Sequence, residues 1–507
     1  SFPSPMSTLP HDIWVHVAQH LPALFVRDLL TVNHSLFEIA MDCRYRQLIF
    51  AYMDDRMLKN LVRLRDPAVA KRVQIVHIYP GFLPDTHGTP PYDHPKPHFP
   101  VTKRSFFTLF VDIANTLLEQ RNFVSRHPKY RIMRALRKQE DAVQILADIL
   151  GGLPNLTDYH VTWYDLPAIS SSPAPFVISP LRPSLRKLSL NLSLENVKSL
   201  SSSDTPLSRL EEFHLCIHSE SVPDEQERTY ILQTHLAPVI SRFRSTLKTL
   251  AISSWEPTDL SPLFASIDRI PALNDLTISI PVEACHLGGP AGVNGFLQKH
   301  QSSLRCLRLC ATQYGGRGFT PDMSSLHEWI GNATDRVELP ELRVLDITSS
   351  LFPNDSSIRC LERFSRTLSS LTVTGPYKSY ADVVDVVDQL AGSPALASMR
   401  KLRIGPVSLS PQLVDLVASR IPGLSRLELL VRDILPAATE GPSTVASRSP
   451  KNARINAFVA EMESRRYTGW NLQHLSLITD ILPAGNDYAA LLEEAFFECI
   501  PSLQYFT

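Results

Sequence analysis

The phrase Leu-x-x-Leu-x-Leu, with Ile, Val or Phe allowed at the later anchors, is written over and over through this chain, and it limits the fold more than any other feature. Strong copies are LRKLSL (185–190), LEEFHL (210–215), LKTLAI (247–252), LNDLTI (273–278), LRCLRL (304–309), LRVLDI (342–347), LSSLTV (368–373), MRKLRI (399–404), LSRLEL (424–429) and LQHLSL (472–477). Weaker copies are VQIVHI (73–78), LTDYHV (156–161) and LQYFT (503–507). Successive copies lie 25 or 26 residues apart in some places and 31 in others, and one gap of 48 leaves room for an inserted loop. Self-similarity at such a period is the mark of a repeat architecture, in which no single unit can bury its apolar face alone.

The last two anchors of each copy alternate with polar residues, as a strand buried on one face requires. The segments between copies are amphipathic: PQLVDLVASR (411–420) carries Leu413, Val414 and Val417 on one stripe, and SIRCLERFSRT (357–367), DMSSLHEWIG (322–331) and DYAALLEEAFFECI (487–500) follow suit. IPGL (421–424), IPAL (270–273) and IPSL (500–503) recur just before strands. Proline lacks an N–H and disfavours helix in the residue before it, so each copy stops a helix and hands the chain to a strand. The implied α/β fold is a solenoid with parallel strands inside and helices outside. A generic α/β domain with Leu-rich strands is the plainer alternative, and ten strong matches at related spacings weigh against it.

These repeats resemble leucine-rich repeats of the longer, helix-bearing kind over roughly 153–507, with VQIVHI as an outlying first strand. The Asn or Cys that often follows the strand in that family is mostly missing here, so an irregular, curved array is expected.

At 507 residues the chain is too long for one compact core. Lys plus Arg (50) balances Asp plus Glu (51), which leaves no global field to draw in nucleic acid or an anionic membrane. Nineteen glycines against forty prolines speak against glycine-rich phosphate loops. Seven cysteines (43, 216, 285, 306, 310, 360 and 499) without framework spacing fit reduced thiols of the cytoplasm or nucleus. No apolar run approaches 18 residues, so no membrane span is expected, and SFPSPMSTLP has neither the basic nor the apolar region of a signal peptide.

Residues 9–40 read LPHDIWVHVAQHLPALFVRDLLTVNHSLFEIA. Ile13, Val17 and Leu21 form one apolar stripe, Pro22 breaks the helix, and Leu29, Val32, Leu36 and Ile39 form a second stripe. The bland reading is a helical cap on the array. Leu-Pro, an Ile four residues on, a Pro-containing turn, Asp-Leu-Leu and Val followed by an aromatic also resemble the F-box motif. The elements are Leu9, Pro10, Ile13, Val17, Leu21, Pro22, Leu24, Asp28, Leu29, Leu30, Val32, Leu36 and Phe37. Two departures stand out: the acidic residue after Leu-Pro is displaced to Asp12, and Leu36-Phe37 stands where Trp is usual. MDCRYRQLIFAYMDD (41–55) and RLRDPAVAKRVQIVHI (63–78) are expected to continue as helices leading to the first strand.

The resemblance implies a three-helix F-box at 7–50, a helical linker with a first irregular repeat and a Pro/His-rich loop at 51–152, and the repeat solenoid at 153–507. It further implies a substrate receptor of an SCF-type cullin–RING ubiquitin ligase. The F-box would dock on the Skp-family adaptor, and through it on cullin, while the solenoid binds a target protein. That role is non-catalytic and needs no cofactor. The alternative is a leucine-rich-repeat binding scaffold with no ubiquitin role, its N-terminal helices serving as a cap.

No enzyme constellation stands out. The clusters Gly288-Gly289-Pro290 and Gly315-Gly316-Arg317-Gly318 lack the Lys-Ser/Thr of a phosphate loop, and no G-x-S-x-G occurs. Asp85, His87, Asp93, His94 and His98 lie in a proline-rich stretch that reads as a surface loop, not a metal site. Residues beside the anchor leucines, among them Lys187, Glu212, Asp275, Arg308, Lys401, Arg403, Arg426 and Glu428, alternate in sign, which suits a protein partner better than nucleic acid. Arg308, Lys401 and Arg403 join four aromatics just past strands (Trp163, Tyr164, Trp255 and Tyr314) as candidate target-binding residues, the aromatics expected along one edge. Packing onto a neighbouring repeat's loop is the alternative for them. The Pro-, Ser- and Gly-rich stretches 80–104, 167–184, 201–206 and 434–452 read as loops.

Overall fold

In the computed structural model the described residues are 10–22, 25–26, 29–51, 55–79, 139–163, 174–201, 207–281, 286–311, 323–348, 354–437, 451–479 and 487–507. They form two compact units: 1–192 with 202–210, and 193–201 with 211–507.

The first unit contains strands β1 (Gln47–Phe50), β2 (Ile75–Ile78), β3 (Asp158–Trp163) and β4 (Lys187–Ser193), each parallel to the one before it. The second contains β5 (Glu212–His218), β6 (Thr249–Ser254), β7 (Asp275–Ile280), β8 (Cys306–Ala311), β9 (Val344–Thr348), β10 (Ser370–Lys378), β11 (Lys401–Leu409), β12 (Arg426–Ile434), β13 (His474–Ile478) and β14 (Tyr505–Phe506), again parallel and in chain order. All ten strong sequence copies are β4 to β13, and the three weaker ones are β2, β3 and β14.

Alternation in each strand becomes a column of apolar side chains running across strands. In the second unit Phe213, Leu250, Leu276, Leu307, Leu345, Leu371, Leu402, Leu427 and Leu475 stand in register and are buried. Leu215, Ile252, Ile278, Leu309, Ile347, Val373, Ile404 and Leu429 make a second buried column beside them. Leu48, Val76, Tyr159 and Leu188 do the same in the first unit. Tyr159 fits because its buried hydroxyl donates to the Phe176 carbonyl at 2.7 Å. Each buried side chain contributes roughly 1.5–3 kcal/mol, so the columns are the main cohesive term of either unit.

Where a side-chain ladder is missing, the main chain supplies one. The carbonyl of the residue just before a strand accepts two successive N–H groups from the next repeat. Glu211 accepts from Lys248 and Thr249, Lys248 from Asn274 and Asp275, and Asn274 from Arg305 and Cys306, all at 2.8–3.1 Å. The pattern continues through Arg305, Arg343, Ser369, Arg400, Ser425 and Gln473, and Arg46, Gln74 and Thr157 repeat it in the first unit. Any residue type can do this, because every residue carries the same backbone carbonyl.

The Ile-Pro-x-Leu copies resolve into one turn. The helix Pro411–Arg420 ends at Ile421, the Leu424 N–H donates to the Ile421 carbonyl at 3.1 Å, and Ile421 is fully buried. Leu273 to Ile270 (3.2 Å) and Leu503 to Ile500 (3.0 Å) repeat the bond. Proline occupies the position where a turn needs φ near −65° and no donor.

Three expectations change. Residues 41–55 are not all helical, because the helix ends at Tyr45 and Gln47–Phe50 is a strand whose Leu48 and Phe50 face inward against β2. The stretch 167–184 includes the helix Ala174–Ile178, which buries Phe176 and Val177, and 434–452 is entered by the end of β12 and the helix from Lys451. The loops at 80–104 and 202–206 lie outside the described residues.

Candidate functional site

The first candidate surface is the helical N-terminal part of the first unit. Pro10 is the N-cap of the helix His11–Gln19, accepting at its carbonyl from the Ile13 and Trp14 N–H groups. Ala18 packs with Val26, Ile39 and Ala40, flanked by Trp14, Val15 and Leu21, so that side of the helix faces inward. Ile13 and Val17, one turn apart, point the other way and are 46% and 41% exposed. Phe25, Val32 and Phe37 are also exposed, Val32 at 54% and Phe37 at 40%.

The helix His34–Tyr45 begins where the Asn33 side chain accepts from the Leu36 N–H at 2.8 Å. Leu36, Ile39 and Ala40 form its buried face. Two polar ties anchor it to the following segment. Tyr45 accepts from Arg63 at 2.6 Å, and Arg72 bridges Glu38 at 2.5 Å and also Asp42, one turn further on. The Arg72 hydrogen bond holds the Glu38 carboxyl below its usual range.

The two apolar stripes expected from sequence are thus split by packing. Ile13, Val17, Val32 and Phe37 are presented outward. Leu36, only 2% exposed, and the half-buried Leu21 and Leu29, which the sequence also places on the adaptor-binding face, are inside or at the edge. Leu9, Leu24 and Asp28 lie outside the described residues, as does the Leu30 side chain. Phe25 was not singled out, since it falls between the two periodic runs.

The second candidate surface is the strand face turned away from the helices. Its charges pair across and along strands: Arg308 on β8 meets Asp275 on β7 at 2.6 Å, and Glu428 on β12 is approached by Lys401 (2.8 Å) and Arg403 (3.8 Å) on β11 and by Arg426 (3.9 Å) on β12 itself. Three cations around one carboxylate leave this part of the face positive. Of the aromatics, Trp255 is exposed and its N–H donates to the Ile217 carbonyl at 2.9 Å, while its ring stacks on His218 with centroids 5.8 Å apart. Trp163 ends β3 with its side chain outside the described residues, and Tyr164 and Tyr314 lie wholly outside them. Among described side chains the expected aromatic edge therefore reduces to Trp255.

His218 itself is buried at the end of β5, with Nδ1 3.5 Å from Glu256 Oε1. Burial alone would push its pKa down. Hydrogen bonds to Cys216 and Glu256 outweigh it and raise the imidazole to about 9. Among the described residues no three His, Cys, Asp or Glu side chains are arranged to hold a metal ion, and no helix is long and apolar enough to cross a membrane. The Asp85–His98 cluster lies outside the described residues.

No family model and no curated protein matches the sequence. Among solved structures the chain is similar to one from the crystal structure of the Rad7 and Elc1 complex in yeast, at TM-score 0.32 and 16% identity, covering 67% of this chain and 97% of that one. It is also similar to a Bacteroides fragilis protein at TM-score 0.29 and 15% identity, covering 48% of this chain and 73% of that one.

Proposed function

We propose that this chain is the substrate-recognition subunit of an SCF-type cullin–RING ubiquitin ligase, working in the cytoplasm or nucleus. The N-terminal helices dock on a Skp-family adaptor, and the open strand face holds a target protein. In this reading the chain carries out no catalysis; its task is to position a target.

The observation that supports this best is the outward placement of Ile13, Val17, Val32 and Phe37 on helices whose other side is already packed. An apolar set of this size kept in water on a folded domain marks a protein-binding site. Buried at roughly 1.5–3 kcal/mol each, these side chains with Phe25 approach the several kcal/mol lost on association.

A pull-down with purified Skp-family adaptor tests it. Wild type is expected to bind, and Ile13→Asp with Val17→Asp to lose binding with the same melting temperature. A wild-type chain that fails to bind sinks the ligase reading and leaves the scaffold, with its helices as a cap.

A further inference from the structure

Cys216, His218 and Glu256 meet at one end of β5 and β6, in a cluster the adaptor face does not use. Cys216 and His218 are two apart on one strand and so share a face. Glu256 follows β6 and pairs with His218 Nδ1. Its other oxygen is fixed by the Ser219 N–H at 2.7 Å and by the Ser219 hydroxyl at 3.4 Å. The Trp255 ring stacks on the imidazole. A thiol, an imidazole and an orienting carboxylate are thereby held in one rigid cluster, with the thiol partly open to solvent.

We propose that Cys216 is a modification site, oxidised by peroxides to the sulfenic acid, with the His218 imidazole held by Glu256 as its proton partner. Glu256 holds His218 as the imidazolium, so the thiol proton leaves to solvent and the thiolate forms beside that cation. The thiolate then attacks one peroxide oxygen, the S–O bond forms and the O–O bond breaks. Sulfur loses two electrons and the peroxide gains them. The departing hydroxide takes a proton from the imidazolium and leaves as water, and the imidazole regains from solvent the proton the thiol released, so one thiol and one hydrogen peroxide give one sulfenic acid and one water.

The other cysteines sharpen the assignment. Burial pushes the Cys306 thiol up to about 12 and the Asp275 carboxylate adds to it; burial and then Asp346 raise Cys310. Burial likewise raises Cys360, to about 12, and Cys499. Those sites oppose the thiolate that peroxide chemistry needs. Cys43 is exposed on the helix His34–Tyr45 and serves as an internal reference.

The test exposes the whole chain to hydrogen peroxide with dimedone and follows each cysteine peptide by mass spectrometry. Cys216 is expected to be labelled about tenfold faster than Cys43. His218→Gln should slow Cys216 about tenfold and leave Cys43 unchanged. Glu256→Gln, which keeps an acceptor for the Ser219 N–H, should shift the rate in the same direction. Should either variant fail to fold, the wild-type chain decides: the Cys216 to Cys43 ratio must collapse in urea. A ratio at or below one in the folded chain, or a Cys216 rate indifferent to both substitutions, overturns the proposal.

Discussion

Two buried histidines carry opposite signs, and the difference is measurable. His300 receives the Ile270 N–H at Nε2 (2.9 Å) and bonds the Phe296 carbonyl through Nδ1 (2.8 Å), so both ring nitrogens are used by the neutral form. Burial pushes its pKa below 6.5. The unfolded chain therefore binds the proton first, and stability present above pH 6.5 is lost as pH falls. Replacing His300 by Leu strands the buried Ile270 N–H and should cost about 1–3 kcal/mol in urea unfolding at pH 7.5. It should also remove part of the wild-type loss between pH 6.5 and 5. For His218, raised to about 9, the contribution is complete below 6.5 and fades as pH rises toward 9. Lys378 works against it above pH 8, because burial lowers that ammonium from 10.5 to about 8 and folding then gains as pH rises. Melting temperatures of wild type and His218→Gln should therefore converge between pH 6.5 and 8. A constant gap across that range would mean the Glu256 contact does not bear on stability.

At the scale of the element, one helix or strand serves two masters, and substitution separates them. Leu36 and Phe37 are neighbours in the same helix, yet one is 2% exposed and the other 40%. Leu36→Ala should cost about 2–5 kcal/mol. Phe37→Ser should stay within about 0.5 kcal/mol of wild type in urea unfolding while weakening adaptor capture. The sequence assigned both to one binding face through the F-box resemblance, because a motif records hydrophobicity and not which neighbour covers a side chain. The direction is set by Arg72, which grips Glu38 and Asp42 from thirty or more residues away. The same limit explains β1: Leu48 and Phe50 alternate over only four residues, too few to distinguish strand from helix before β2 arrives to pair with them.

At the scale of the whole molecule, the second unit behaves as a stack in which each repeat touches its two neighbours. Its columns and main-chain ladder are interactions between adjacent strands, so damage should stay local. Leu402→Ala, removing a fully buried anchor from β11, should cost about 2–5 kcal/mol. Hydrogen exchange should speed up most in β10, β11 and β12, with β5 and β6 little changed. Uniform acceleration across the unit would instead point to a single cooperative core. A glycine at a strand junction also belongs here: at Gly405 φ is +141°, and a Cβ would come within 2.5 Å of the Leu430 carbonyl oxygen, where the β11–β12 register slips.

The repeat, its strand and helix alternation, the proline stops and the N-terminal helices were all legible in the amino-acid order, because each is written in side-chain spacing within a few turns of chain. What faces out was not. The burial of Leu36, the pairing of Arg308 with Asp275 and the meeting of His218 with Glu256 depend on residues 33 to 38 positions apart, or on which strand lies alongside. The ladder of carbonyls leaves no trace in sequence at all, since every residue carries the same backbone. Local spacing determines the elements, and long-range packing decides which of their surfaces are left for a partner.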